Sequence, residues 1–135
     1  MSNPFVKILQ PHGWVQPRGY ANGTAARGTL VSIAGQVGWN AQCEFVSEDF
    51  AAQARQALAN IVAVLAEAGG RPEHIVRMTW YVTDKREYVS AYPAIGTAYR
   101  ELIGKHYPAM TAVQVVALIE DRAKVEIEAT AVIPD

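Results

Sequence analysis

The sequence predicts an α+β domain over residues 1–135, one mixed sheet with two helices on a single face. Two observations about its stretches predict this. Phe45–Gly70 and Asp84–Leu102 carry apolar residues at helical spacing, while Thr29–Val37, His74–Val82 and Lys124–Val132 alternate or are β-branched. Their order supplies a third: strands, helix, strand, helix, then two strands. Such an order packs helices on one side of a sheet.

Phe5–Gln10 reads as a short first strand. The Gly-, Pro- and Asn-rich run that follows reads as turns, with room for a short strand around Tyr20. "TLVSIAGQV" (Thr29–Val37) is a strand whose glycine marks a close approach of backbone to another group. Ser47, Glu48 and Asp49 offer caps and negative charge to the first helix. Phe50, Ala54, Leu58, Ile61 and Leu65 form its apolar stripe, and Gly69-Gly70 stops it.

"HIVRMTWYV" (His74–Val82) is a β-branched and aromatic strand, and its Trp80 reads as core. Asp84 with Glu87 resembles a capping box for the second helix, which Gly104 ends. "MTAVQVVAL" (Met110–Leu118) and "AKVEIEATAV" (Ala123–Val132) are the last strands, joined by "IEDR" as a tight hairpin. In the final strand Val125, Ile127, Ala129 and Ala131 take one face. Glu126, Glu128 and Thr130 take the other. Met110, Ala112 and Gln114 are expected beside those glutamates on the open face. A face so mixed suits burial against another copy of the chain.

Composition narrows the function. Half the residues are hydrophobic and net charge is −1, from twelve basic and thirteen acidic residues without a block of either sign. That excludes a disordered chain and gives no footprint for nucleic acid or an anionic membrane. Cys43 is the only cysteine, so no internal disulfide forms. The three histidines have no metal-ligand spacing, and no cofactor motif is present. The N-terminus lacks a signal-peptide pattern and the longest apolar run is too short for a membrane span, so a cytoplasmic protein is expected.

"VSIAGQV", "AAQARQALANIVAVLAEAGG", "HIVRMTWYVTD" and "YPAMTAVQVVAL…AKVEIEATAV" occur in an order and spacing that resemble the Rid family, the reactive intermediate deaminases. The resemblance implies a chorismate-mutase-like fold and a homotrimer around a central β-barrel. Small-molecule sites would lie in the clefts between subunits. It implies hydrolysis of enamines and imines, such as 2-aminoacrylate, to 2-oxo acids and ammonia.

Carried onto this chain, the family pattern makes Glu126 the group that handles water. Tyr20 lines the pocket and Ala112 offers its backbone to substrate. The small polar position is Ala34, which lacks a hydroxyl. The position of the substrate-carboxylate arginine is Met110, in Pro108-Ala109-Met110-Thr111. A thioether supplies neither charge nor a useful donor, and losing such a clamp should cost roughly 2–5 kcal/mol.

Arg18, Arg27, Arg77 and Arg100 are candidate replacements, Arg18 first because it lies two residues before Tyr20. Trp39, after "GQVG", is a candidate pocket wall, with plain packing as the alternative. Trp14 is a candidate for the cleft mouth and His106 for its rim. Glu128 reads more simply as a cross-strand partner of Lys or Arg. The expected function is an enamine or imine deaminase acting on a substrate other than 2-aminoacrylate. The rivals are a metabolite-binding trimer without turnover and an endoribonuclease, the last disfavoured by the charge balance.

Overall fold

A computed structural model of the chain describes residues 3–135. A four-stranded sheet is built from β3 (Thr29–Val37), β4 (Ile75–Val82), β5 (Ala109–Gln114) and β6 (Val125–Ile133), in the order β3-β6-β4-β5. The pairs β3/β6 and β6/β4 are antiparallel and β4/β5 is parallel, so the sheet is mixed as expected. β1 (Lys7–Leu9) and β2 (Gly23–Ala25) form a separate antiparallel pair.

Helix α1 (Phe50–Glu67) starts where Asp49 accepts a hydrogen bond from the Ala52 N–H at 3.0 Å. It stops at Gly69, whose φ of 79° suits the left-handed turn that returns the Gly70 N–H to the Leu65 carbonyl. Its stripe of Leu58, Ile61 and Leu65 is wholly buried against Met78, Val125, Ile127 and Ala131. Burying each such side chain is worth about 1.5–3 kcal/mol, and this interface is the core of the fold.

The expected second helix is two. Asp84 caps α2 (Lys85–Ser90), accepting from the Arg86 and Glu87 N–H groups, and α3 (Tyr92–Leu102) follows after Ala91. Pro93 causes the break, because it has no N–H to give and its ring crowds the preceding turn. The capping box is half made, since Glu87 reaches Lys124 Nζ at 3.2 Å instead of its own helix start.

The last two strands are not a hairpin. "IEDR" does turn, with the Ala123 N–H bonded to the Glu120 carbonyl. Yet β4 lies between the strands it joins. A strand–helix–strand crossover sets β5 parallel beside β4, and the chain returns to fill the slot between β3 and β4. β5 also ends at Gln114, so Val116 and Leu118 lie outside the sheet.

Register then corrects the face assignment. Met110 and Ala112 pair with Met78 and Trp80 on the helix-covered side. Glu126 and Glu128 pair with Tyr81 and Thr79 on the open side. Among the described residues no helix is long and apolar enough to cross a membrane.

His74 ends a single 3-10 turn (Pro72–His74) and is buried, its Nδ1 accepting the Arg71 N–H at 3.0 Å. Burial pushes its pKa below 6.5, with Arg71 and His106 adding to the fall and Glu73 opposing it. Protonation therefore favours the unfolded chain. The stabilisation is complete above a pH of 6.5 and drains away as pH falls through the lower folded value. The urea midpoint should drop on going from about pH 7.5 to about pH 5, and His74→Gln should reduce that drop. Equal pH dependence in both proteins would show that His74 is not responsible.

Candidate active site

A cavity of about 580 Å³ lies between β5, the α2–α3 pair and the turn before β2. The turn is pinned there by the Ala21 N–H, which donates to the Pro108 carbonyl at 2.9 Å, and by a parallel bridge from Ala21 to Ala109. This brings Arg18 and Tyr20 to the start of β5. Arg18, Tyr20, Met110 and Ala112 all line the cleft. Of the four candidate arginines, Arg18 is the one on its wall.

Arg77 opens on the other side of the sheet, where it borders a hollow of about 270 Å³ with Ser32, Thr79, Glu128 and Thr130. Arg27 is exposed in the loop before β3, and Arg100 sits on α3 outside the cleft lining.

Glu126 is not in that cleft. It is half-buried on the open face, and among the described residues no group hydrogen-bonds its carboxylate. A β-bulge explains its surroundings: between Ile33 and Gln36 of β3, the two residues Ala34 and Gly35 oppose Glu128 alone. Glu126 lies across Gly35 so closely that a Cβ there would fall on its Oε2 and stand 2.8 Å from its Cδ. The glycine of "AGQ" therefore marks a close approach, to this carboxylate.

A single chain thus splits the expected site. Arg18, Tyr20, Met110 and Ala112 stand on one side of the sheet. Glu126 and Ala34 stand on the other, with β4 separating β6 from β5.

Other candidates stand apart from this cleft. Trp39 packs on Phe45, with ring centroids 5.7 Å apart, beside Cys43 and Arg122 and away from the cleft. Trp14 is exposed and absent from the cleft wall. His106 is buried away from the rim: its Nε2 donates to the Ile75 carbonyl at 2.6 Å and its Nδ1 accepts from Asn3 Nδ2 at 3.1 Å. Glu128 accepts the Tyr81 hydroxyl at 2.6 Å, so its partner is a phenol and not a cation. That hydrogen bond, more than burial, raises the Tyr81 pKa, because the neutral phenol is the donor.

Trp80 is core as expected, at 3% exposure, but it also walls the cleft, and its Nε1–H is buried with no partner among the described residues. Four further tyrosines went unassigned in the sequence: Tyr88, Tyr92, Tyr99 and Tyr107. Tyr88, Tyr92 and Tyr99 recur four and seven residues apart, a one-face helical spacing that could have found them. Burial pushes the Tyr88 phenol up to about 12. It raises Tyr99 further, and the Tyr99 hydroxyl donates to the His106 carbonyl at 2.5 Å.

A family model described as endoribonuclease L-PSP matches residues 15–133. The protein belongs to this L-PSP (YjgF/Rid) family. A 2-iminobutanoate/2-iminopropanoate deaminase of Salmonella typhimurium is 34% identical to this Rid protein over 108 residues, 78% of this chain and 80% of the relative.

A crystal structure of a Rid-family protein of unknown function, YyfB from Yersinia pestis, superposes with a TM-score of 0.84 at 32% identity, covering 95% of this chain and 98% of that one. The YjgF gene product of Escherichia coli gives 0.66 at 34% identity, covering 84% and 87%. The α+β fold of the Rid protein, a mixed sheet with helices on one face, is that of these structures.

Proposed function

We propose that this Rid protein is an imine and enamine deaminase, one domain over residues 1–135. It acts in the cytoplasm as a chorismate-mutase-like homotrimer around a central β-barrel, with no cofactor. The observation that carries the reading is the split site. Arg18, Tyr20, Met110 and Ala112 line one half-cleft, and Glu126, with no partner among the described residues, stands on another surface of the same chain. Cyclic assembly would close each half-cleft against the Glu126 surface of a neighbour. Sedimentation of the full chain at the mass of one copy would overturn the trimer.

In such a cleft Tyr20 and the Ala112 backbone orient the substrate. Glu126 takes a proton from water as its oxygen bonds to the C=N carbon, giving a tetrahedral carbinolamine. That proton passes to nitrogen, the carbinolamine hydroxyl then gives its own proton to the same nitrogen as the C–N bond breaks and the C=O forms, and ammonia leaves with a carbonyl product. The sum is C=N plus water giving C=O plus ammonia, with no oxidant or reductant.

Met110 makes 2-aminoacrylate and its imine poor substrates, because no guanidinium holds their carboxylate at that position. Met110→Arg is expected to raise kcat/KM on alanine-derived imine by about tenfold or more, read as ammonia release from imine made in situ. No gain would mean that position 110 does not face the reacting carboxylate. Met110 and Ala34 also favour a second reading, metabolite binding without turnover. Tight binding of a 2-oxo acid beside undetectable ammonia release would establish it. The endoribonuclease in the family's description is disfavoured by a net charge of −1 with no basic stripe.

A further inference from the structure

The cleft beside Met110 is large for the substrates named in its relatives. Its volume of about 580 Å³ falls within the roughly 300–1,000 Å³ of sites that hold drug-sized ligands. An imine with a single methyl beyond its carboxylate would leave most of that space to water. The lining is also one-sided in chemistry: among the described residues, Arg18 is the only charged one on it.

Aromatic rings form much of the rest. Trp80 and Tyr88 lie 6.0 Å apart between ring centroids, and Tyr88 meets Tyr92 edge-on at 5.1 Å. Spacings and tilts of this kind are those at which aromatic rings attract one another, and a further ring can join them. The Tyr99 hydroxyl is already taken by the His106 carbonyl. Tyr88, with its pKa pushed up to about 12, stays an uncharged phenol at neutral pH.

We infer that the cleft selects an imine or enamine carrying an aromatic ring, seated on Trp80, Tyr88 and Tyr92, with its one anionic group held by Arg18. The inference rests on the deaminase reading for the reaction, but the ring-binding wall can be tested apart from it. Arg18, on the wall of the same cleft, takes the role that Met110 cannot. The two parallel hydrogen bonds of a guanidinium suit a carboxylate.

Two measurements on the full chain separate ligand class from reaction. Calorimetric titration compares 2-oxo-3-phenylpropanoate with 2-oxopropanoate, the products of the aryl and methyl imines. Turnover compares phenylalanine-derived with alanine-derived imine, each made in situ by an amino-acid oxidase. The phenyl compound should bind about tenfold or more tightly than the methyl one, and its imine should turn over with a similar preference.

Gly96 of α3 lines the cleft, and a Cβ there meets only the flexible end of Arg100, at 3.3 Å. Gly96→Leu should therefore fold and reduce the phenyl-to-methyl binding ratio by about tenfold. The calorimetric ratio alone decides the inference: equal or reversed affinities overturn it. Selective phenyl binding with no ammonia from either imine sustains the ligand class and removes the deaminase reading.

Discussion

Replacing Glu126 with glutamine is expected to slow ammonia release by about 10²–10⁴-fold, the usual worth of a positioned acid–base group. Glutamine keeps the shape and loses the proton traffic. The carboxylate has no hydrogen-bonding partner among the described residues, so nothing is orphaned by its removal. Thermal stability should stay within about 0.5 kcal/mol of the parent. Gly35 makes a companion test. Alanine there would collide with Glu126 Oε2 and displace the carboxylate, and misplacement by about an ångström costs on the order of 10²-fold. Unchanged turnover in Glu126→Gln would take the acid–base role from this residue.

The largest effect on stability should come from Gln53, which is wholly buried. Its Nε2 donates to the Ser47 and Arg122 carbonyls at 2.9 and 3.0 Å, and its Oε1 accepts the Lys124 N–H at 2.9 Å. One amide thus fastens the entry of α1 to the entry of β6. Leucine fills similar space and makes none of these bonds. These backbone groups are part-buried, and leaving each unpaired costs on the order of 1 kcal/mol, so Gln53→Leu should lose about 3 kcal/mol. That is a large share of the roughly 5–15 kcal/mol that holds a domain together. Urea unfolding measures it, and a loss below about 1 kcal/mol would mean that water replaces the amide.

What could be read from the sequence followed from local signals. The α1 stripe, its Asp49 cap, its Gly69 stop and the burial alternation of β6 depend on neighbours along the chain. The sequence showed them, and the structure has them. The β5 neighbour depends on the path of the whole chain. The short "IEDR" turn invited a hairpin, while the strand–helix–strand order before it called for a parallel pair, and the second signal governs.

The same error put Met110 on the face of Glu126. An edge strand of Ala, Val, Thr and Met gives no clear alternation to correct it. Tyr20, Met110 and Ala112 were legible through the family resemblance at the positions that matched, and Arg18 through its place two residues before Tyr20. The tyrosines were not, because a tyrosine on an amphipathic helix reads as packing until the sheet beside it is known.

Strand β6 is the last of the strands in chain order and sits inside the sheet, bonded on both edges. Until it arrives, β3 has no partner, and β4 and β5 are a parallel pair with one raw edge. Nearly all of its pairing joins residues far apart in sequence, which slows folding. A nascent chain must therefore hold its other elements in waiting. Clipping within Val125–Ile133 should unravel the whole protein, where loss of an outer strand would only fray a border.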